Sequence, residues 1–99
     1  MTAYMIGMMK VTDKGAYEEY KKYTPVAVAK YDGKFLSRGG TKVTLEGEEE
    51  SRRVVIVEFP SLEKAQAFYN SSDYQHAITY RKNAAIMQLV VVEGFEQLG

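Results

Sequence analysis

Residues 53–59, RVVIVEF, set Val54, Val55, Ile56 and Val57 in an unbroken row, so an extended chain there is apolar on both faces. Strand side chains alternate between the two sides of a sheet, and a strand apolar at both parities needs cover on both. The pattern recurs in residues 3–11 (AYMIGMMKV), with Tyr4, Ile6 and Met8 at one parity and Met5, Met9 and Val11 at the other. It recurs again in Met87 to Val92. Three such strands constrain this chain more than any other feature it has.

Helical patterns fill the gaps between them. Asp13 can cap a helix whose residues Ala16, Tyr17, Tyr20 and Tyr23/Thr24 fall three and four apart on one stripe. Thr24-Pro25 reads as a kink or restart; Val28 and Tyr31 extend the stripe until Asp32-Gly33 ends it. Lys34 to Arg38 is a short strand, Gly39-Gly40 a bulge or tight bend, and Thr41 to Glu46 is expected to resume extended structure before a turn at Gly47 to Ser51. After Pro60, Ser61 caps a helix carrying Leu62, Ala65 and Phe68/Tyr69 on one side. Ser72 with Gln75 fits a capping box for a further helix with Tyr74, Ala77, Ile78, Arg81 and Ala84/Ala85 along its stripe.

The order is β-α-β-β-α-β with the second α element split in two, in a single domain over residues 1–99. It predicts an α+β protein with a ferredoxin-like antiparallel sheet, its first and third strands parallel neighbours, and both helical layers on one face. The other face is then bare. Several of Tyr4, Met5, Ile6, Val55, Val57, Val90 and Val92 would be left in water, each worth roughly 1.5–3 kcal/mol when buried. A second copy packed sheet to sheet about a two-fold axis is the simplest cover, so a homodimer is expected.

Composition removes several function classes. Thirteen Lys and Arg balance thirteen Asp and Glu, with eight of each sign in residues 1–50 and five of each in 51–99. With no basic cluster to release phosphate counterions, nucleic acid is not the expected partner. No apolar run approaches the ~20 residues of a membrane span, and the N-terminus lacks the basic start and apolar core of a signal peptide. The chain has no cysteine, which removes disulfides, thiol nucleophiles and thiolate metal sites, and favours a cytoplasmic address. There is no Gly-rich phosphate loop, G-x-S-x-G or H-E-x-x-H.

Short strings then line up in order: AY at Ala3-Tyr4, YEEY at Tyr17 to Tyr20, LSRGG at Leu36 to Gly40, LEG at Leu45 to Gly47, EFPS at Glu58 to Ser61 and VEG at Val92 to Gly94. In this order and spacing, over about residues 3 to 94, the chain resembles the DUF1330 family, small bacterial proteins of undefined function in the dimeric α+β barrel superfamily. The resemblance implies a ferredoxin-like protomer and a homodimer, and it implies no reaction. Relatives across the wider superfamily resemble cofactor-independent monooxygenases, lactone isomerases and haem-binding enzymes, while others are stress-associated proteins. Where the family usually has a small residue or proline after Ser71, this chain has Ser72.

Five residues stand out as ligand-binding candidates. Arg38, before two glycines, has the planar fork to clamp a carboxylate or enolate, or else it braces a bulge through a salt bridge. Glu58, at the end of a buried strand, is expected to pair with Arg38; unpaired burial would instead raise its pKa and suit it to proton transfer. Arg81, on an apolar stripe, needs Glu58, Glu93 or a ligand's anion as its counterion. Tyr20 and Tyr31, in a chain with eight tyrosines, pack a core or line an aromatic pocket between helix and sheet. His76, the one histidine, has no ligand partners at metal-binding spacing and is expected at the surface, so neither a metal nor a cofactor is called for. Two functions fit: a small-molecule site for a carbonyl compound or aromatic acid, or a homodimeric interaction or stress-associated module without chemistry.

Overall fold

The computed structural model describes residues 1–95, so the last four residues of the expected domain lie outside the described residues. The elements are β1 (Ala3–Val11), α1 (Lys14–Lys30), β2 (Lys34–Arg38), β3 (Arg53–Phe59), α2 (Leu62–Asn70), α3 (Ser72–Arg81) and β4 (Ala85–Glu93). The four strands form one sheet in the order β2-β3-β1-β4, antiparallel throughout. The first and third strands are neighbours but run antiparallel, which corrects the expected parallel pairing. The reason is topological: β3 returns antiparallel to β2 and lies against β1, leaving β1 and β2 to share a direction.

Local chemistry sets the helix ends. The Asp13 carboxylate accepts from the Ala16 N–H at 3.2 Å and the Ser61 hydroxyl from the Lys64 N–H at 3.1 Å, both N-caps as expected. The third cap lies one residue earlier than the capping box implied. Ser71 accepts from the Tyr74 N–H at 3.1 Å and donates to the Phe68 carbonyl at 2.7 Å, so one hydroxyl ends α2 and starts α3. Gln75 instead donates to the Tyr69 carbonyl. Pro25 neither stops nor restarts α1, which runs unbroken from Lys14 to Lys30.

The residues between Arg38 and Arg53 contain no strand, so the stretch Thr41 to Glu46 does not join the sheet and the segment is an arm. Its base is pinned by Arg52, which makes a 2.7 Å ion pair with Glu50 and reaches the Met8 Sδ at 3.5 Å. Val43 and Leu45 on the arm are 76% and 93% exposed.

The helices cover the parity holding Met5, Gly7, Met9, Val57 and Phe59 on β1 and β3; Met5, Met9, Val57 and Phe59 are buried with Tyr17, Tyr20, Val28, Phe68 and Tyr74. Met5, Val55 and Val57 therefore belong to the helix side, not to the bare face for which they were candidates. On the bare side Ile6 sits between Ile56 and Val90, flanked by Tyr4, Met8, Val54 and Val92. Val90 is 45% and Val92 50% exposed. Beside this face β2 carries a bulge: Phe35 pairs with Val57, but Ser37 pairs with Ile56 and Arg38 with Val55.

Candidate functional site

That bulge decides where Arg38 points. Without the extra residue Arg38 would oppose Val54 and share the bare face; with it, Arg38 opposes Val55 on the helix side. Glu58 pairs with Lys34 and Tyr4 on the bare side. The expected Arg38–Glu58 pair is therefore not formed: the two lie on opposite faces, three positions apart along β3. Among the described residues neither makes an ion pair.

Arg38 turns instead to α1. Its Nη2 donates to the Lys21 carbonyl at 2.8 Å and lies 3.4 Å from the Thr24 Oγ1. Lys21 is four residues before Pro25, which has no N–H to give that carbonyl. The remainder of the guanidinium lies over the Phe35 ring, 4.8 Å from its centroid.

Between α1, α3 and the sheet is a cavity of about 40 Å³. Met5, Met9, Val55, Val57, Met87 and Leu89 supply its floor, with Tyr17, Tyr20, Val28, Phe68 and Tyr74 above. Gly7 lies in the floor, where a side chain would press on Leu89 and Met9. The polar end carries Arg38, Arg53 and Lys21, and no Asp or Glu lines the cavity. Lys21 is answered by Glu18 at 3.3 Å; Arg38 and Arg53 have no carboxylate partner among the described residues.

Arg53 was read from sequence only as the start of a strand. Its signal was parity, because it shares the helix side with Val55, Val57 and Phe59, where a charge is unexpected. Gly39, at φ 72°, makes room for it: a Cβ there would run into the guanidinium. The Arg53 group stands 5.8 Å from the Tyr17 ring centroid. Burial pushes the Tyr17 phenol up, and Arg53 partly offsets this. The buried Nε of Arg53 has no hydrogen-bond partner.

Tyr20 lines the cavity and is 6% exposed, its hydroxyl 2.8 Å from that of Tyr74. Burial drives its phenol well above the ordinary value, with Tyr74 adding to the shift, so it stays protonated. Arg81 does not meet Glu58 or Glu93. Its Nη2 is 3.4 Å from the Tyr74 hydroxyl, its guanidinium is 5.5 Å from the Tyr20 ring centroid, and its buried Nε is unpartnered. It opens on a second cleft, of about 450 Å³ and open to solvent, beside α2 and β4. Tyr31 lines neither cleft; it ends α1 and packs half-buried at the margin of the core. His76 is exposed, as expected, edge-on to Tyr23 and Tyr80. Among the described residues no cluster of His, Cys, Asp and Glu could hold a metal, and no helix is long and apolar enough to cross a membrane.

Several solved structures share this fold. RPA0582, a protein of unknown function from Rhodopseudomonas palustris, superposes with a TM-score of 0.77 at 19% identity, over 97% of this chain and 84% of that one. A dimeric ferredoxin-like protein of unknown function from Jannaschia sp. CCS1 gives 0.71 at 13%, over 95% and 100%. SnoaB, a cofactor-independent oxygenase from Streptomyces nogalater, gives 0.60 at 11%, over 98% and 96%. At these identities the likeness concerns fold alone. No curated protein matches the sequence. Residues 2–95 match the model of the domain of unknown function DUF1330, and the chain belongs to that family.

Proposed function

We propose that the protein binds a small aromatic or apolar carboxylate in the cavity between the helices and the sheet. One observation carries this reading: two guanidinium groups, Arg38 and Arg53, stand at the polar end of an otherwise apolar cavity that no acidic residue lines. A planar fork suits a carboxylate. The alternative of a module without a ligand relied on internal counterions for the charged candidates. Arg38 and Arg81 have none among the described residues, so the ligand reading is preferred.

The same reading includes a homodimer joined through the bare sheet face. Its support is the apolar cluster around Ile6, Ile56 and Val90, the exposed Val43 and Leu45 on the arm, and the dimeric state named for a neighbour of the same fold.

The test is a calorimetric and thermal-shift titration with phenylacetate. At about 100 times its dissociation constant the ligand should add roughly 2.7 kcal/mol of stability. Arg53→Gln should abolish the shift while the variant remains folded. A flat titration of the unsubstituted protein would refute the proposal.

A further inference from the structure

We propose that the arm of one protomer adds residues 41–46 as a strand to the free edge of β4 in a second copy, bringing Glu46 to the partner's Arg81. This rests on the homodimer reading above and names the contact between subunits that completes the second cleft.

β4 is an edge of the sheet, paired on one side only. The Ala84 carbonyl accepts from the Thr12 N–H at 2.8 Å and the Gly94 N–H donates to the Thr2 carbonyl at 2.7 Å, so the even-numbered residues of β4 bond to β1. Met87, Leu89 and Val91 therefore turn their N–H and C=O groups to the open edge. The strand is nine residues long, has no proline or bulge, and carries Ile86, Val90 and Val92 exposed on its bare side. A long, flat, apolar edge is a template for another strand unless something covers it.

The arm has the sequence of such a strand. Thr41 to Glu46, TKVTLE, is rich in β-branched residues and alternates, with Val43 and Leu45 at one parity and Lys42, Thr44 and Glu46 at the other. The Glu50 N–H donates to the Thr44 hydroxyl at 2.9 Å and Gly47 turns the chain at φ 86°, so this leg is held in place although Val43 and Leu45 stand in water. It leaves the sheet between β2 and β3, whereas the free edge belongs to β4 on the opposite side. A second copy offers that edge where the arm's own protomer does not.

Parity and charge agree on how the leg sits. With Val43 and Leu45 beside Val90 and Val92 on the bare face, Thr44 and Glu46 fall on the helix side, where the cleft along Leu89, Val90 and Val91 holds Arg81. No Asp or Glu lines this cleft, and Arg81 has no carboxylate partner among the described residues. Burial keeps the neighbouring Tyr20 phenol protonated, so it supplies no negative charge. Glu46 in turn makes no ion pair among the described residues. A half-buried cation without a counterion and a carboxylate without a cation thus answer each other, once per protomer, about the two-fold axis that packs the sheets.

The experiment is sedimentation of charge-reversed variants. Glu46→Lys and Arg81→Glu each set like charges against one another in both contacts of their own dimer, and each should raise its dissociation constant at least tenfold. An equimolar mixture of the two should dimerise as the unsubstituted protein does, because every contact of the mixed dimer joins opposite charges. Independently of any variant's folding, hydrogen exchange in the unsubstituted dimer should find the outward amides of Leu89 and Val91 as protected as that of Val90. Single variants that dimerise undiminished, a mixture no tighter than its components, or free exchange at Leu89 and Val91 overturns the arm exchange while leaving the sheet-to-sheet dimer standing. An unsubstituted protein that stays at 11.2 kDa at micromolar concentration overturns both.

Discussion

Arg38 donates its Nη2 to the carbonyl of Lys21 at 2.8 Å, the one helical acceptor that Pro25 cannot serve. A β2 side chain thus replaces a missing backbone donor in α1, and the same contact holds a guanidinium at the polar end of the cavity. The two sites should be energetically coupled. Arg38→Ala should cost about 1 kcal/mol by leaving that carbonyl without its donor. In a Pro25→Ala background the restored N–H takes over the carbonyl, and the cost should shrink. A denaturant double-mutant cycle measures the difference, and additive effects would show that the contact contributes nothing.

Val54 and Ile56 lie on the bare face and Val55 and Val57 on the helix face. If the protein is the proposed homodimer it should sediment at twice its 11.2 kDa chain mass, and Ile56→Lys should leave the fold intact and yield the monomer. Val57→Lys should unfold the chain, because an unpaired charge would be buried in the core.

Gly7 lies close under Leu89 and Met9, whose side chains are 3.0 and 3.2 Å from where a Cβ would stand. Gly7→Val should push both into the cavity and lower phenylacetate affinity tenfold or more in the same titration. Far-UV circular dichroism should be unchanged, since β-branched residues suit strands.

The Glu50 carboxyl is held down at about 2 by its hydrogen bonds from the Arg52 side chain and backbone N–H, against an ordinary 4.5. A depressed folded pKa means that the interaction is fully present above the ordinary value and is lost as pH falls through the lowered one. Between pH 4.5 and about 2 the base of the arm should therefore loosen. A carbon-detected titration of the Glu50 carboxyl follows it directly; a midpoint near 4.5 would mean that the ion pair does not form in solution.

Ser71→Ala removes a hydroxyl that closes α2 and caps α3, and should cost about 1 kcal/mol. Ser72→Ala, at the position the capping-box pattern favoured, should be close to neutral. Thermal melts of the two variants distinguish the caps.

Interactions within a few residues were legible in the sequence. Turn residues flanking them (Asp32-Gly33, Gly39-Gly40, Gly47 to Ser51 and Pro60) identified the bounds of β2 and β3, and Asp13 and Ser61 revealed their caps, because a breaker's backbone preference and a cap's hydrogen bond are made by neighbours in the chain. The need for a bare apolar face followed as well, since three two-sided strands exceed what the helices can cover. Which parity is bare was not legible: Val54, Val55, Ile56 and Val57 are all β-branched and apolar, and only the packing of α1, α2 and α3 on one side distinguishes them. The candidate site depended on tertiary structure still more. The bulge at Phe35 to Ser37 carries no glycine or proline to announce it, yet one extra residue moved Arg38 away from the side of Glu58 and into the cavity. Arg53 became a site residue through Gly39, a residue fourteen positions away whose missing side chain only the folded sheet brings against it. Parity, register and close approach between distant segments are settled by long-range pairing, and a single strand's hydropathy pattern holds no record of them.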